Sequence, residues 1–170
     1  VLEVLEATGP HPDHAEQLML FGQFVGAWDF DAELVDRDGV RTKHRGEWHF
    51  GWALDGRAIQ DVLISPPRGE PGRQEEYGTT LRFYDPELDA WQITWITPPQ
   101  RRVRRLVARP AGDEIVLEGE NDRGELLRWT FSEITSETFT WRGYISDDDG
   151  ATWHMEEEMR LRRRRQGGDG

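Results

Sequence analysis

The sequence predicts an all-β protein, a single antiparallel up-and-down β-barrel of about ten strands with a short N-terminal helix. Three observations carry that reading. Beyond residue 27, apolar residues recur with a period of two. Turn signals such as Asp38-Gly39, Asp55-Gly56 and Asp85-Pro86 interrupt them about every ten to fifteen residues. No helical stretch lies between these runs, and short links force neighbouring strands to pair antiparallel. A closed barrel removes the exposed edges of such a sheet, and a two-sheet sandwich is the alternative.

The helix is read first. Pro10 and Pro12 break the loose segment 1–12, Asp13 and Glu16 have capping-box-like spacing, and Leu18, Phe21 and Val25 recur at helical intervals. Strands follow in order. Trp28, Phe30, Ala32 and Leu34 alternate with acidic residues; Trp48, Phe50, Trp52 and Leu54 form the next set. Ala58 to Ser65 is a third strand, and a loop of Pro, Gly and charge covers Pro66 to Glu75. Tyr77 to Tyr84 and the set Trp91, Ile93 and Trp95 come next, then a strand on which Val103, Arg105, Val107 and Arg109 share a face. Ile115 and Leu117, then Leu127, Trp129 and Phe131, then Phe139 and Trp141 continue the pattern. Trp153, Met155, Met159 and Leu161 mark the last strand, and the residues 163–170 read as a disordered tail.

The chain of 170 residues is read as one domain, large enough to bury roughly 70% of its unfolded surface. Eight Trp and seven Phe concentrate the apolar load in few residues. The 33 acidic against 21 basic side chains give a formal charge of −12, which argues against nucleic acid and anionic membranes as partners. Without cysteine there is no disulfide, thiolate metal site or cysteine nucleophile, and the reading is cytoplasmic. Val1 to Gly9 lacks the basic start of a signal peptide, and no run approaches the length of a membrane span.

Several local motifs recur together. A helix leads into Phe24-Val25-Gly26-Ala27-Trp28, a Trp-x-Phe strand follows, then Leu54-Asp55-Gly56-Arg57, then Phe83-Tyr84-Asp85-Pro86 just before Trp91. Across residues 18 to 162 this pattern resembles bacterial calycin-like β-barrel domains without an assigned activity. These are relatives in shape of lipocalins, fatty-acid-binding proteins and nitrobindins. The resemblance implies a small-molecule-binding barrel and carries over no catalytic residues.

Motifs that suggest chemistry have plainer explanations. Ser146 to Trp153 fits an Asp-box, but one copy makes a hairpin, not a propeller. His11 and His14 flank a proline and lack further ligands, while His44 and His49 lie on opposite faces of one strand, so no metal site is expected. His154 alternates out of phase with Trp153 and Met155 and is expected to face solvent, which disfavours a haem pocket. There is no nucleophile elbow, dinucleotide fingerprint or phosphate-binding loop, and no cofactor is expected. The arginine clusters Arg101 to Arg105 and Arg160 to Arg165 read as solvated strand faces with cross-strand ion pairs.

Charge on the apolar parity is the stronger signal. Asp61 is in phase with Ile59 and Leu63, Arg105 with Val103 and Val107, and Glu157 with Met155 and Met159. Lone buried charges are costly, so such residues should pair or meet a polar ligand. Arg82 and Tyr84 form the alternative set if the faces of their strand are reversed. The leading expectation is a barrel that binds a hydrophobic, aromatic or polycyclic molecule. Trp48, Trp52, Trp95, Trp129 and Trp141 would be its walls, and Arg105 with Asp61 or Glu157 its polar hooks. The alternative is an acid–base enzyme of isomerase, cyclase or dehydratase type in the same cavity, with Glu157 or Asp61 as the proton-transfer group and Arg105 stabilising negative charge. A third reading is a filled barrel acting through its surface, for instance as a homodimer.

Overall fold

In the computed structural model, which describes residues 1–165, ten antiparallel strands pair in sequence order and close on themselves. They are β2 (Gly26–Val35), β3 (Arg41–Ala53), β4 (Ala58–Ser65), β5 (Glu76–Asp85), β6 (Ala90–Thr97), β7 (Arg102–Ala111), β8 (Glu114–Glu120), β9 (Leu126–Ser132), β10 (Thr138–Ser146) and β11 (His154–Arg163). Pairing of β11 with β2, and of β3 with both β2 and β4, completes the ring, so the predicted up-and-down barrel is the observed architecture.

One end of the barrel is stoppered. The helix α2 (Ala15–Gly22) turns Leu18 and Phe21 inward, and Phe24 follows at its exit. Phe21 meets Trp91 and Phe131 edge-on at 5.0 and 5.6 Å, and Phe24 lies 4.7 Å from Phe139. The indole of Trp28, wholly buried, donates to the Phe24 carbonyl at 2.8 Å and ties helix exit to first strand. Offset and edge-to-face aromatic pairs of this kind add to the area they bury. The helix start differs from expectation. His14, in the left-handed region at φ 64°, is the residue before the helix and no side chain caps it, so Asp13 and Glu16 form no capping box.

The segment expected to be loose is partly ordered. Leu2–Leu5 forms a single helical turn, α1, and β1 (Glu6–Ala7) pairs with Ala53 and Trp52 of β3. It occupies the side of β3 that β2 leaves free beyond Phe50. At the other terminus, Arg163 is pinned rather than frayed. Its guanidinium donates to the carbonyls of Val25, Gln23 and Ser136 and sits 4.2 Å over the Trp28 ring. Arg164 pairs with Asp29 and Glu47; the rest of the predicted tail, 166–170, lies outside the described residues.

Two strands turn faces that sequence alone misjudges. On β7, Arg104, Leu106 and Ala108 stand opposite the inward Trp95, Ile93 and Trp91. Arg105 therefore points out, with Val103 and Val107, and is exposed. The strand has apolar residues on both parities, and the smaller Leu106 and Ala108 fit beside the indoles. On β5 the exposed pair is Leu81 and Phe83, while Arg82 is buried at 2% exposure. A bulge on β11 makes the third change. Gly143 pairs with Glu157 but Tyr144 with Met155, leaving Glu156 as the extra residue. His154 thereby comes opposite the inward Ile145, and its Nε2 lies 2.9 Å from the Val35 carbonyl oxygen instead of standing free in solvent.

Ion pairs line the outer surface, Arg160 and Arg162 of the second arginine cluster among them, whereas Arg104 of the first turns inward. Arg162 pairs with Asp31 at 2.9 Å, Arg142 with Glu158 at 2.7 Å and Arg128 with Glu118 at 2.9 Å. Glu47, buried although on the outer parity, is gripped by Arg68 from the β4–β5 loop and by Arg164, and the Arg68 guanidinium holds its carboxyl far below the usual range. The Asp-box is a hairpin lock. Asp148 accepts from the Ser146 and Thr152 hydroxyls and the Thr152 amide at 2.6–2.8 Å, which lowers its pKa to about 2, and Trp153 packs under Arg128.

Candidate functional site

The polar interior has two levels. Near the stoppered end, Asp61 on β4 and Arg82 on β5 form a buried ion pair, each nearly without exposure. The Thr80 amide donates to the second Asp61 oxygen at 3.0 Å. The Arg82 guanidinium carbon lies 5.2–6.0 Å from the ring centres of Phe21, Phe50 and Trp48, in cation–π range. Asp61 is inward as expected, but its partner is Arg82 and not Arg105. Both Asp61 oxygens are thus occupied by donors from β5. Trp48 Nε1 and Arg82 Nε are buried donors without a partner among the described residues.

The other level is the end of the barrel opposite α2. There the inward side chains of His44 and Glu157 keep 20% and 17% exposure, and Trp129 is half-buried although its strand faces the interior. Solvent therefore reaches the inner wall at this end. The indole of Trp129 lies 5.6 Å from that of Trp141, whose cross-strand neighbour is the buried Met159, and Trp95 is buried on the inner face of β6. Gly78 and Gly143 make the tryptophans fit: a Cβ on either would collide with the ring edge of Trp95 or Trp141, so both indoles lie close against the wall. Trp48 and Trp52 belong elsewhere. Trp48 packs among Phe50, Phe131 and Phe139, and Trp52 rests on Gly22 of the helix.

The polar side of the open end is a hydrogen-bonded row. Ser65 Oγ donates to the Arg45 carbonyl at 2.8 Å, so toward His44 Nδ1, at 3.1 Å, it can only accept. His44 Nδ1 therefore carries a hydrogen, and Nε2 faces Glu157 Oε1 at 2.8 Å. The His44–Glu157 contact holds one further proton. Burial pulls the His44 imidazolium down, but the bond to Glu157 and the charges of Glu157, Glu76 and Glu75 outweigh it and raise its pKa.

Glu76, cross-strand neighbour of Ser65, completes the row. Burial pushes its pKa up to about 7, and the charge of Glu157 adds to that push against the pull of His44 and Arg102. Such a carboxyl is half ionised near neutral pH. Sequence reasoning missed Glu76 because it stands where the charged loop becomes strand; its shared parity with Gly78, Thr80 and Arg82 is the signal that places it inward. His44 was set aside for lack of a second histidine, whereas its partner is a glutamate two-thirds of the chain away. Of the side chains proposed from sequence, the open end gathers Trp95, Trp129, Trp141 and Glu157; Asp61 lies deeper and Arg105 is outside.

Among the described residues no group of three or more His, Cys, Asp or Glu is placed to hold a metal ion, and no helix is long and apolar enough to cross a membrane. A cleft of about 520 Å³ is lined by Glu118, Leu127, Arg128, Asp149 and Trp153.

No family model matches the sequence, and no curated protein matches it. Solved structures do match in shape. The S-type phycobiliprotein lyase CpeS from Guillardia theta superposes with a TM-score of 0.62 at 12% identity, over 88% of this chain and 93% of that one. Rv2717c from M. tuberculosis does so with a TM-score of 0.62 at 13% identity, over 92% of this chain and 99% of that one. The fold is a calycin-like closed barrel.

Proposed function

We propose that the barrel binds a small hydrophobic molecule, aromatic or polycyclic, through the end opposite α2. The carrying observation is Trp129, an inward aromatic side chain that solvent still reaches, standing beside Trp141. Ligand sites combine an apolar wall with a few placed polar groups, and the row from Ser65 to Glu157, with Glu76, supplies the latter. An aromatic-rich interior in a calycin-like barrel fits the same reading. Titrating a panel of aromatic and polycyclic compounds while following intrinsic fluorescence tests it. A saturable change is expected for at least one class, with affinity reduced about tenfold in Trp129→Ala. A panel without any saturable response, in wild type and by calorimetry alike, removes the reading.

The Glu76 carboxyl favours a second reading, an acid–base enzyme of isomerase, cyclase or dehydratase type. A group with a pKa of about 7 beside an aromatic wall is poised to take and return a proton. In this reading Glu76 takes the proton-transfer role expected of Glu157 or Asp61, and Glu157 and His44 set its charge. Arg105, on the outer face, does not reach the site.

A further inference from the structure

Two cations at the open end have carboxylate partners. His44 is matched by Glu157 at 2.8 Å, and Arg104, inward from β7, by Asp122 at 3.5 Å. Arg102 is exposed and acts on Glu76 through its field. Glu76 has no ion-pair or hydrogen-bond partner among the described residues, though it is half-buried and faces inward. A second polar group nearby is also unsatisfied. Thr97 is wholly buried on the inward parity of β6, beside Arg102, and its Oγ1 has no partner among the described residues. Extending the β5–β6 register by one step sets Thr97 beside Gly78, two residues from Glu76 on the same inner face. A buried hydroxyl left unpaired is costly, which points to a polar group supplied from outside the chain.

Resting on the binding reading above, we propose that the ligand is a flat aromatic or conjugated molecule bearing one protonated nitrogen, whose N–H groups meet the Glu76 carboxylate and the Thr97 hydroxyl while its ring lies against Trp129 and Trp141. Each part of that class follows from a feature of the wall. The Glu76 carboxylate, half-buried on the inner parity and without an ion-pair or hydrogen-bond partner among the described residues, favours a positive charge on the ligand. An N–H donor to a carboxylate is charge-assisted and among the stronger hydrogen bonds. Indole faces favour a cation lodged beside them. The formal charge of −12 draws cations toward the protein and repels anions. The ligand polarity is therefore opposite to the one an inward Arg105 would have chosen.

Three probes with one ring system separate the outcomes. Isothermal titration calorimetry at about pH 8 would compare 1-naphthylmethylamine, 1-naphthylmethanol and 1-naphthylacetate on wild type, Glu76→Gln and Glu76→Asp. The amine is expected to bind about tenfold tighter than the alcohol, and the acetate more weakly than either. That advantage should vanish in Glu76→Gln with the alcohol unchanged, and persist in Glu76→Asp. An alcohol or acetate that binds as well as the amine overturns the charge assignment and leaves the binding reading standing. An amine advantage that survives Glu76→Gln overturns the role of this residue. Silence from all three counts against both. A folded Glu76→Asp that retains the preference guards against a trivial loss of structure.

Discussion

Asp61 and Arg82 sit where an isolated charge could not. Their pairing, with the Thr80 amide on the free carboxylate oxygen and three aromatic rings around the guanidinium, makes the site tolerable. Removing one member strands the other in an apolar interior. Asp61→Asn should therefore lose about 3–5 kcal/mol of stability, read from the urea midpoint. Glu76 behaves in the opposite sense. Its folded pKa, at about 7, is above the ordinary 4.5, so below about pH 4.5 it is protonated in both states and costs nothing. Between there and about pH 7 the unfolded chain gives up the proton first, and stability falls as pH rises. His44, with its raised pKa, loses stability in the same direction at higher pH, and Glu157, Arg102 and Glu75 complete the charged surroundings. The unfolding midpoint of Glu76→Gln should drop less than that of wild type between pH 5 and pH 8. An equal drop would exclude burial of a titrating Glu76.

At the scale of single strands, glycine decides where the tryptophans lie. The Trp95 ring edge occupies the position that a Cβ on Gly78 would take, and Gly78 is buried between β4 and β6. Gly78→Ala should displace Trp95, with a changed near-ultraviolet circular dichroism spectrum and a loss of about 1–3 kcal/mol. An unchanged spectrum would mean that the indole is not held by this contact. The same strands show what a sequence can and cannot reveal. Those whose apolar residues occupy one parity, such as Trp28, Phe30 and Ala32 on β2, declare their inner face. β5 and β7 do not, because Leu81 and Phe83, or Val103 and Val107, are apolar on the outside. Arg82 can be inside only because Asp61 waits on the adjacent strand, a long-range fact no local pattern contains. The bulge at Glu156 likewise re-aims His154 with no glycine or proline on its own strand to announce it.

For the molecule as a whole, the order of strands was legible because every connection is too short for anything but antiparallel neighbours, and the closure of ten of them follows from the same constraint. The division of its aromatic residues was not. Trp48 and Trp129 look alike in a list of alternating residues, yet one belongs to the packed floor and the other keeps contact with solvent. What separates them is the docking of a helix of eight residues on a single end. That docking gives the barrel the topology of a cup rather than a pipe. On the binding reading proposed above, a ligand enters with its most apolar part first and leaves by the same end, so its last atoms to go in are the first to meet water again. On that reading arrival and departure share one doorway, and the row from Ser65 to Glu157 with Glu76 stands at that threshold for both.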